Sequence, residues 1–169
     1  THASGRKAAD LVERARAEVA ALIGADTREI IFTSGATEAN NLAIKGAARH
    51  LAAMGSPRRR VITVATEHKC VLESVRDLAQ EGFEPVILPV DASGLLDPAV
   101  LQKALEVPTA LVSIMAANNE TGVLQDLATL APLVEQAGAL LPSDLAPAAG
   151  QIPVELRRLG PAGGSASSH

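Results

Sequence analysis

The sequence predicts an α/β fold, a mostly parallel sheet flanked by helices. Segments with apolar residues at helical spacing alternate along the chain with short β-branched runs. Those runs are apolar at consecutive positions, the pattern of strands covered on both faces. No repeat or low-complexity linker divides the 169 residues, so one layered structure is the economical arrangement.

Residues 6–23 place Leu11, Ala15, Val19 and Leu22 at helical spacing, and Gly24 is a C-terminal stop. A short strand is expected from Glu29 to Thr33. A second helix runs from Thr37 to Met54, with Leu42, Ala43, Ala47 and Leu51 on one side. Arg60 to Thr66 reads as a buried strand. Lys69 to Glu81 is helical, with Leu72, Val75, Leu78 and Ala79 inward and Gly82 as its stop. Phe83 to Val90 is again a strand, followed by a turn at Asp91-Ala92-Ser93-Gly94. Asp97-Pro98 is an N-cap with an N1 proline, opening a helix to Leu105. Thr109 to Ala117 is the strongest strand, apolar except at Thr109 and Ser113. A helix over 125–137 contains Pro132, which should kink or restart it. Ala139 to Leu145 is the next expected strand.

Composition narrows the function. Hydrophobic residues make up 47% and charged residues 20%, with a formal net charge of −4, which describes a globular protein. The longest basic run, Arg58-Arg59-Arg60, is too short for a nucleic-acid footprint and reads as a solvated turn between helix and strand. No apolar run approaches the ~20 residues of a membrane span, and no signal peptide opens the chain. Cys70 is the only cysteine, which excludes an internal disulfide or a thiolate metal cluster and makes a reducing compartment the default. Aromatic residues are Phe32 and Phe83 alone, so Ala, Leu, Val and Ile must build the core. Both ends read as cut from a longer chain: Thr1 is not an initiator, and the Gly/Ser-rich end closes no element.

Ligands of open α/β sheets bind beyond the carboxyl ends of the strands, and the unusual polar residues gather there. The first strand leads into Thr33-Ser34-Gly35-Ala36-Thr37-Glu38, the second into Glu67-His68, and the strongest into Asn118-Asn119-Glu120-Thr121-Gly122. The last carries Asp144. A glycine turn entering a helix exposes backbone N–H groups at a positive dipole end, which suits a phosphate; equally, Ser34 or Thr37 could simply cap the helix. The motif is not a Walker loop. His68 is either a site residue or a surface histidine. Lys69 is either an imine-forming amine or a solvated lysine. A carboxylate on an apolar strand, as at Asp144, needs a partner: an arginine, a helix N-terminus or a protonated ring nitrogen. Asn118-Asn119 could form a turn.

Thr33-Ser34-Gly35-Ala36-Thr37-Glu38-Ala39-Asn40-Asn41, Glu67-His68-Lys69-Cys70-Val71-Leu72 and Asn118-Asn119-Glu120-Thr121-Gly122 together closely resemble three blocks of the cysteine desulfurases, homodimeric fold-type I enzymes that use pyridoxal phosphate. With matching spacing the resemblance runs from His2 to His169. It implies that residues 1–169 are part of the large cofactor-binding domain, incomplete at both ends, and that the small C-terminal domain lies outside them. By resemblance, Ala36 and Thr37 hold the cofactor phosphate, and His68 stacks on the pyridine ring and shuttles protons. Asn119 sits near the ring hydroxyl and the substrate carboxylate, and Asp144 pairs with the pyridine nitrogen. Ser167 and His169 match a Ser-x-His that binds phosphate just before the family's cofactor-anchoring lysine. The sequence stops there, and Lys69 does not match that lysine. Around Asp144 the family's flanking His and Gln positions are Pro142 and Pro147. Cys70 does not match the sulfur-accepting cysteine and reads as a packed helix residue.

The implied activity is removal of sulfur from L-cysteine through a cofactor imine and an enzyme persulfide. Alanine is released, and the sulfur passes to an acceptor or iron–sulfur scaffold protein in the cytoplasm or an organellar matrix. A selenocysteine lyase or another class V enzyme is the alternative within enzymes. A scaffold or dimerising partner is the non-catalytic one, and residues 1–169 alone are expected to be inactive for want of the lysine.

Overall fold

The computed structural model describes residues 2–118 and 120–142. Its centre is a three-stranded parallel sheet in the order β2-β1-β3, with β1 at Arg60–Val64, β2 at Glu84–Leu88 and β3 at Thr109–Ser113. Ile62 stands opposite Val86 on one side and Val112 on the other. Pro85, which cannot donate to a ladder, falls in β2 at the edge of this sheet.

Among the described residues five α-helices accompany the strands: α1 at His2–Ile23, α2 at Ala36–Ala53, α3 at Lys69–Asp77, α4 at Pro98–Ala104 and α5 at Leu127–Gln136. Strand alternation sorts α2 to α5 onto two faces. Val61 and Leu111 point toward α2 and α3, forming one core with Ile44, Ala48, Val71, Val75 and Leu78. Ile62, Val64, Val112 and Ile114 point the other way, against Leu101 of α4 and Leu127, Leu130 and Val134 of α5. These aliphatic side chains are almost fully buried, each contributing roughly 1.5–3 kcal/mol by leaving water. The expected Ala, Leu, Val and Ile core is what the structure contains.

The helices and the three central strands fall where the sequence placed them, the strands shorter by a few residues. The last turn of the expected 69–81 helix is 3-10, at Leu78–Glu81. Three expectations are corrected. Among the described residues no strand forms at 29–33: a 3-10 turn at Thr27–Glu29 is closed by Asp26 and Glu29 as a capping box, and no ladder follows there. Ile31 and Phe32 are exposed, and no described strand lies beside this β-branched run. It is held to α1 instead, where the Arg16 guanidinium donates to the Ile30 carbonyl and lies 5.0 Å from the Phe32 ring centroid. Second, α5 does not restart at Pro132 but continues through it from Leu127 to Gln136; Ala128, whose carbonyl loses its helical partner, is exposed to solvent.

Third, the arginine run is not solvated. Arg58 Nη1 donates to the carbonyls of Thr109 (3.1 Å) and Ala137 (2.5 Å). Arg59 lies over the Phe83 ring and donates to the Ser56 carbonyl. Arg60 donates to the Ala104 carbonyl at 3.0 Å and pairs with Glu84. The three guanidiniums tie helix ends and loops to the amino-terminal edge of the sheet. Of the strand expected at 139–145, Leu140 bridges to Leu111 beside β3, and residues 143–145 lie outside the described residues.

Candidate active site

Side-chain contacts between α2 and α3 show how the chain assembles one edge. Asn40 Nδ2 donates to Cys70 Sγ at 3.5 Å, and Ser74 Oγ donates to Asn41 Oδ1 at 3.0 Å. Further along, Lys45 pairs with Asp77 at 2.9 Å and Arg49 with Glu81 at 2.7 Å. Partner numbers rise together, so the two helices run parallel with their N-termini at the same end. Helix α3 starts shortly after β1 ends, which makes that end the carboxyl edge of the sheet. The first turn of α2 therefore reaches the expected edge through helix packing, without a strand of its own.

Ala36 and Thr37 occupy that first turn and are exposed. The N-cap is Gly35, which supplies no side-chain acceptor to the first-turn N–H groups. Ser34 does not cap the helix: its hydroxyl and backbone N–H both donate to Glu38 Oε2, at 2.5 and 2.7 Å. Those bonds hold the Glu38 carboxyl below its ordinary pKa. A methyl group at Gly35 would meet nothing within 4 Å, so the space outside the turn is open. Uncapped donors, a positive dipole end and open space are what an anionic oxygen cluster requires.

His68 is the N-cap of α3, its Nδ1 accepting the Cys70 backbone N–H at 3.4 Å. Its ring is exposed at the rim of a cleft of about 240 Å³ lined by Thr66, Glu67, Leu72, Met115, Asn118 and Glu120. Cys70 is buried and packed, as the sequence indicated. Lys69 is a solvated lysine, with its side chain 84% exposed and a loose pair to Glu73 at 3.6 Å.

Glu67, to which the sequence assigns no role, and Asn118, which it reads as a turn residue, join the loops around the cleft. Glu67 is buried, and its Oε1 accepts the Met115 N–H, linking the end of β1 to the end of β3. Asn118 Nδ2 donates to the Thr66 carbonyl at 2.9 Å, while its Oδ1 accepts the N–H groups of Glu120 and Thr121. Ala117 bridges to Leu124, closing a tight loop in which Gly122 has φ +72°, a left-handed conformation that suits glycine. The turn reading of Asn118 thus holds. The signals were present: a carboxylate ending an apolar strand, and an asparagine opening a glycine turn.

Ala36, Thr37 and His68 are brought to one edge, whereas Asn119, Asp144, Ser167 and His169 lie outside the described residues. Among the described residues no group of His, Cys, Asp and Glu has the arrangement of a metal site.

A parallel sheet with an open helix N-terminus and a histidine at its carboxyl edge defines an α/β domain suited to a phosphate-bearing ligand. More particularly, residues 1–169 match the class-V aminotransferase family, and the chain belongs to it. Over 156 residues it is 47% identical to the cysteine desulfurase IscS of Rickettsia felis, a match covering 92% of this chain and 37% of that protein. The crystal structure of DndA from Streptomyces lividans superimposes with a TM-score of 0.80 at 43% identity, over 92% of this chain and 43% of that one. A structure of SspA in complex with cysteine gives a TM-score of 0.82 at 31% identity, over 94% and 45%. The resemblance to cysteine desulfurases and the parallel fold-type I architecture are borne out. The chain spans less than half the length of these relatives.

Proposed function

We propose that the protein containing this chain is a pyridoxal-phosphate-dependent cysteine desulfurase, converting L-cysteine to alanine and passing the sulfur to an acceptor. The observation that carries the proposal is the open N-terminus of α2 beside His68, in a chain 47% identical to a cysteine desulfurase. The described residues fit the cofactor at two points: Ala36 and Thr37 offer donors to its phosphate, and His68 offers a ring face to its pyridine. The proposal assigns Asn119 to the ring hydroxyl and substrate carboxylate, Asp144 to the pyridine nitrogen, and Ser167 and His169 to the phosphate. When bound, the cofactor supplies an electron sink for the substrate's α-carbon.

The chain's own residues bind, orient and enclose. The first turn of α2 fixes the phosphate end, which sets where the ring lies relative to His68. The Glu67–Met115 and Asn118–Thr66 hydrogen bonds hold the β1 and β3 loops together, so the cleft keeps its shape. Leu72 and Met115 give it an apolar wall that keeps water from the reacting carbon. Cys70, buried within α3, is not the sulfur acceptor; that thiol belongs to a part of the protein beyond this chain. The proposal includes a homodimer and an acceptor or iron–sulfur scaffold partner, in the cytoplasm or an organellar matrix. Leu11, Leu22 and Ile31, exposed by 64%, 85% and 67%, form an apolar surface that the remainder of the protein or a second copy would cover. No described helix is long and apolar enough to cross a membrane.

The test uses the intact protein supplied with pyridoxal phosphate, L-cysteine and a thiol reductant that releases the persulfide sulfur as sulfide, measuring alanine and sulfide. Equal yields of both, much reduced by Thr37→Val and His68→Asn, are expected. Loaded protein that releases no alanine overturns the proposal, and turnover restricted to selenocysteine converts it to the lyase.

A further inference from the structure

Resting on the reading of His68 as the residue facing the cofactor ring, we infer that Cys70 is a positioning residue for His68, fixing its imidazole as a neutral hydrogen-bond donor through Nε2. Three contacts carry this. The Cys70 backbone N–H donates to His68 Nδ1 at 3.4 Å, Cys70 Sγ lies 3.2 Å from the same nitrogen, and Asn40 Nδ2 donates to Sγ at 3.5 Å. Backbone and amide N–H groups have no acceptor role, so they decide the direction of the chain. A proton on Nδ1 would face the Cys70 N–H head-on, so Nδ1 presents its lone pair. The thiol, accepting from Asn40, turns its S–H to that lone pair. All three bonds then run consistently, from α2 through the thiol to the ring.

A neutral imidazole has one N–H, and here it resides on Nε2, the nitrogen not turned toward α3. The basic nitrogen of that tautomer is engaged at the start of α3, and Nε2 carries the N–H that His68 can donate. Asn40 lies one turn beyond the proposed phosphate site on α2, so the helix that orients the phosphate also orients the ring.

The intact protein without cofactor, labelled with ¹⁵N-histidine, is examined by long-range ¹H–¹⁵N NMR at alkaline pH, with His68→Asn providing the assignment. The expected pattern is an unprotonated Nδ1 and a protonated Nε2. Cys70→Ala should move the Nδ1 resonance, while Cys70→Ser, which retains a hydroxyl donor, should leave it nearly in place. A protonated Nδ1 in the wild type, or an Nδ1 resonance indifferent to Cys70→Ala, overturns the assignment. Should Cys70→Ala fail to fold, the S–H stretching band in the wild-type minus Cys70→Ser difference spectrum decides: a hydrogen-bonded frequency supports the thiol donor, and a free-thiol frequency refutes it. In the loaded enzyme, losing one orienting hydrogen bond should lower kcat about fivefold in Cys70→Ala with KM for cysteine little changed, and Cys70→Ser should recover much of it. Protein with the Nε2–H pattern that releases no alanine overturns the desulfurase reading alone, whereas active enzyme with a protonated Nδ1 overturns the role of Cys70 alone.

Discussion

Replacing Glu67 with alanine removes the acceptor that holds the Met115 N–H at the cleft. Met115 is 5% exposed, so water cannot take over the bond without a local opening of the β3 loop. A buried donor left without its acceptor costs roughly 1–3 kcal/mol; about 2 kcal/mol corresponds to a local opening about 30-fold more populated. Glu67→Gln keeps an acceptor oxygen and most of the volume; with about 1 kcal/mol lost to the altered partner, that variant should open only about fivefold more often. Native-state hydrogen exchange at the Met115 amide of the intact protein reads both numbers, with the Val134 amide in α5 as a control that should not change. A Met115 amide exchanging at the wild-type rate in Glu67→Ala would refute the reasoning, because the bond would then not be what closes the two loops.

Arg58→Ala should destabilise the protein by about 2–4 kcal/mol, since two carbonyls lose a charged donor; the urea midpoint measures it, and Arg58→Lys should recover only part, because an ammonium does not reproduce the guanidinium fork. Asp97→Ala should cost about 1 kcal/mol by removing the acceptor of the Ala99 N–H at the start of α4, and a thermal midpoint equal to wild type would contradict it. Acid stability has a definite sign. Glu38 is held low by Ser34, Glu81 by Arg49, Glu84 by Arg60, Asp91 chiefly by the Ser93 hydroxyl and Asp126 by the Thr129 hydroxyl. With folded pKa values below the unfolded ones, their contribution is complete above the ordinary carboxylate range near pH ~4 and is lost as pH falls through the folded values. Thermal midpoints should therefore drop on acidification below that range, and a rise would contradict the assignments.

Much of the candidate site was legible in the sequence because its signals are local. A glycine turn entering a helix left two readings, open N–H groups or a Ser34 or Thr37 cap, and the Gly35 N-cap decided for the first; a histidine shortly after a β-branched run marks a strand's carboxyl end at His68. Glu67 carried no role and Asn118 only that of a turn, because each also acts through a backbone group on another loop: the Met115 N–H and the Thr66 carbonyl.

The sequence by itself determined the helices, the three buried strands and the aliphatic composition of the core. The helices follow from a periodicity of 3.6 and the strands from consecutive apolar, β-branched runs, signals that each short segment carries within itself. Only the tertiary structure decided that residues 29–33 pair with no strand among the described residues, that the arginine run is consumed in tying the sheet's amino-terminal edge, and that the first turn of α2 reaches the site by lying parallel to α3. Each depends on a partner far away in sequence: Arg58 meets Ala137 across 79 residues, and Met115 meets Glu67 across 48. A strand without a neighbouring ladder, or a cation without a carbonyl, reads the same locally as one that has it. The partner is supplied by how the layers pack.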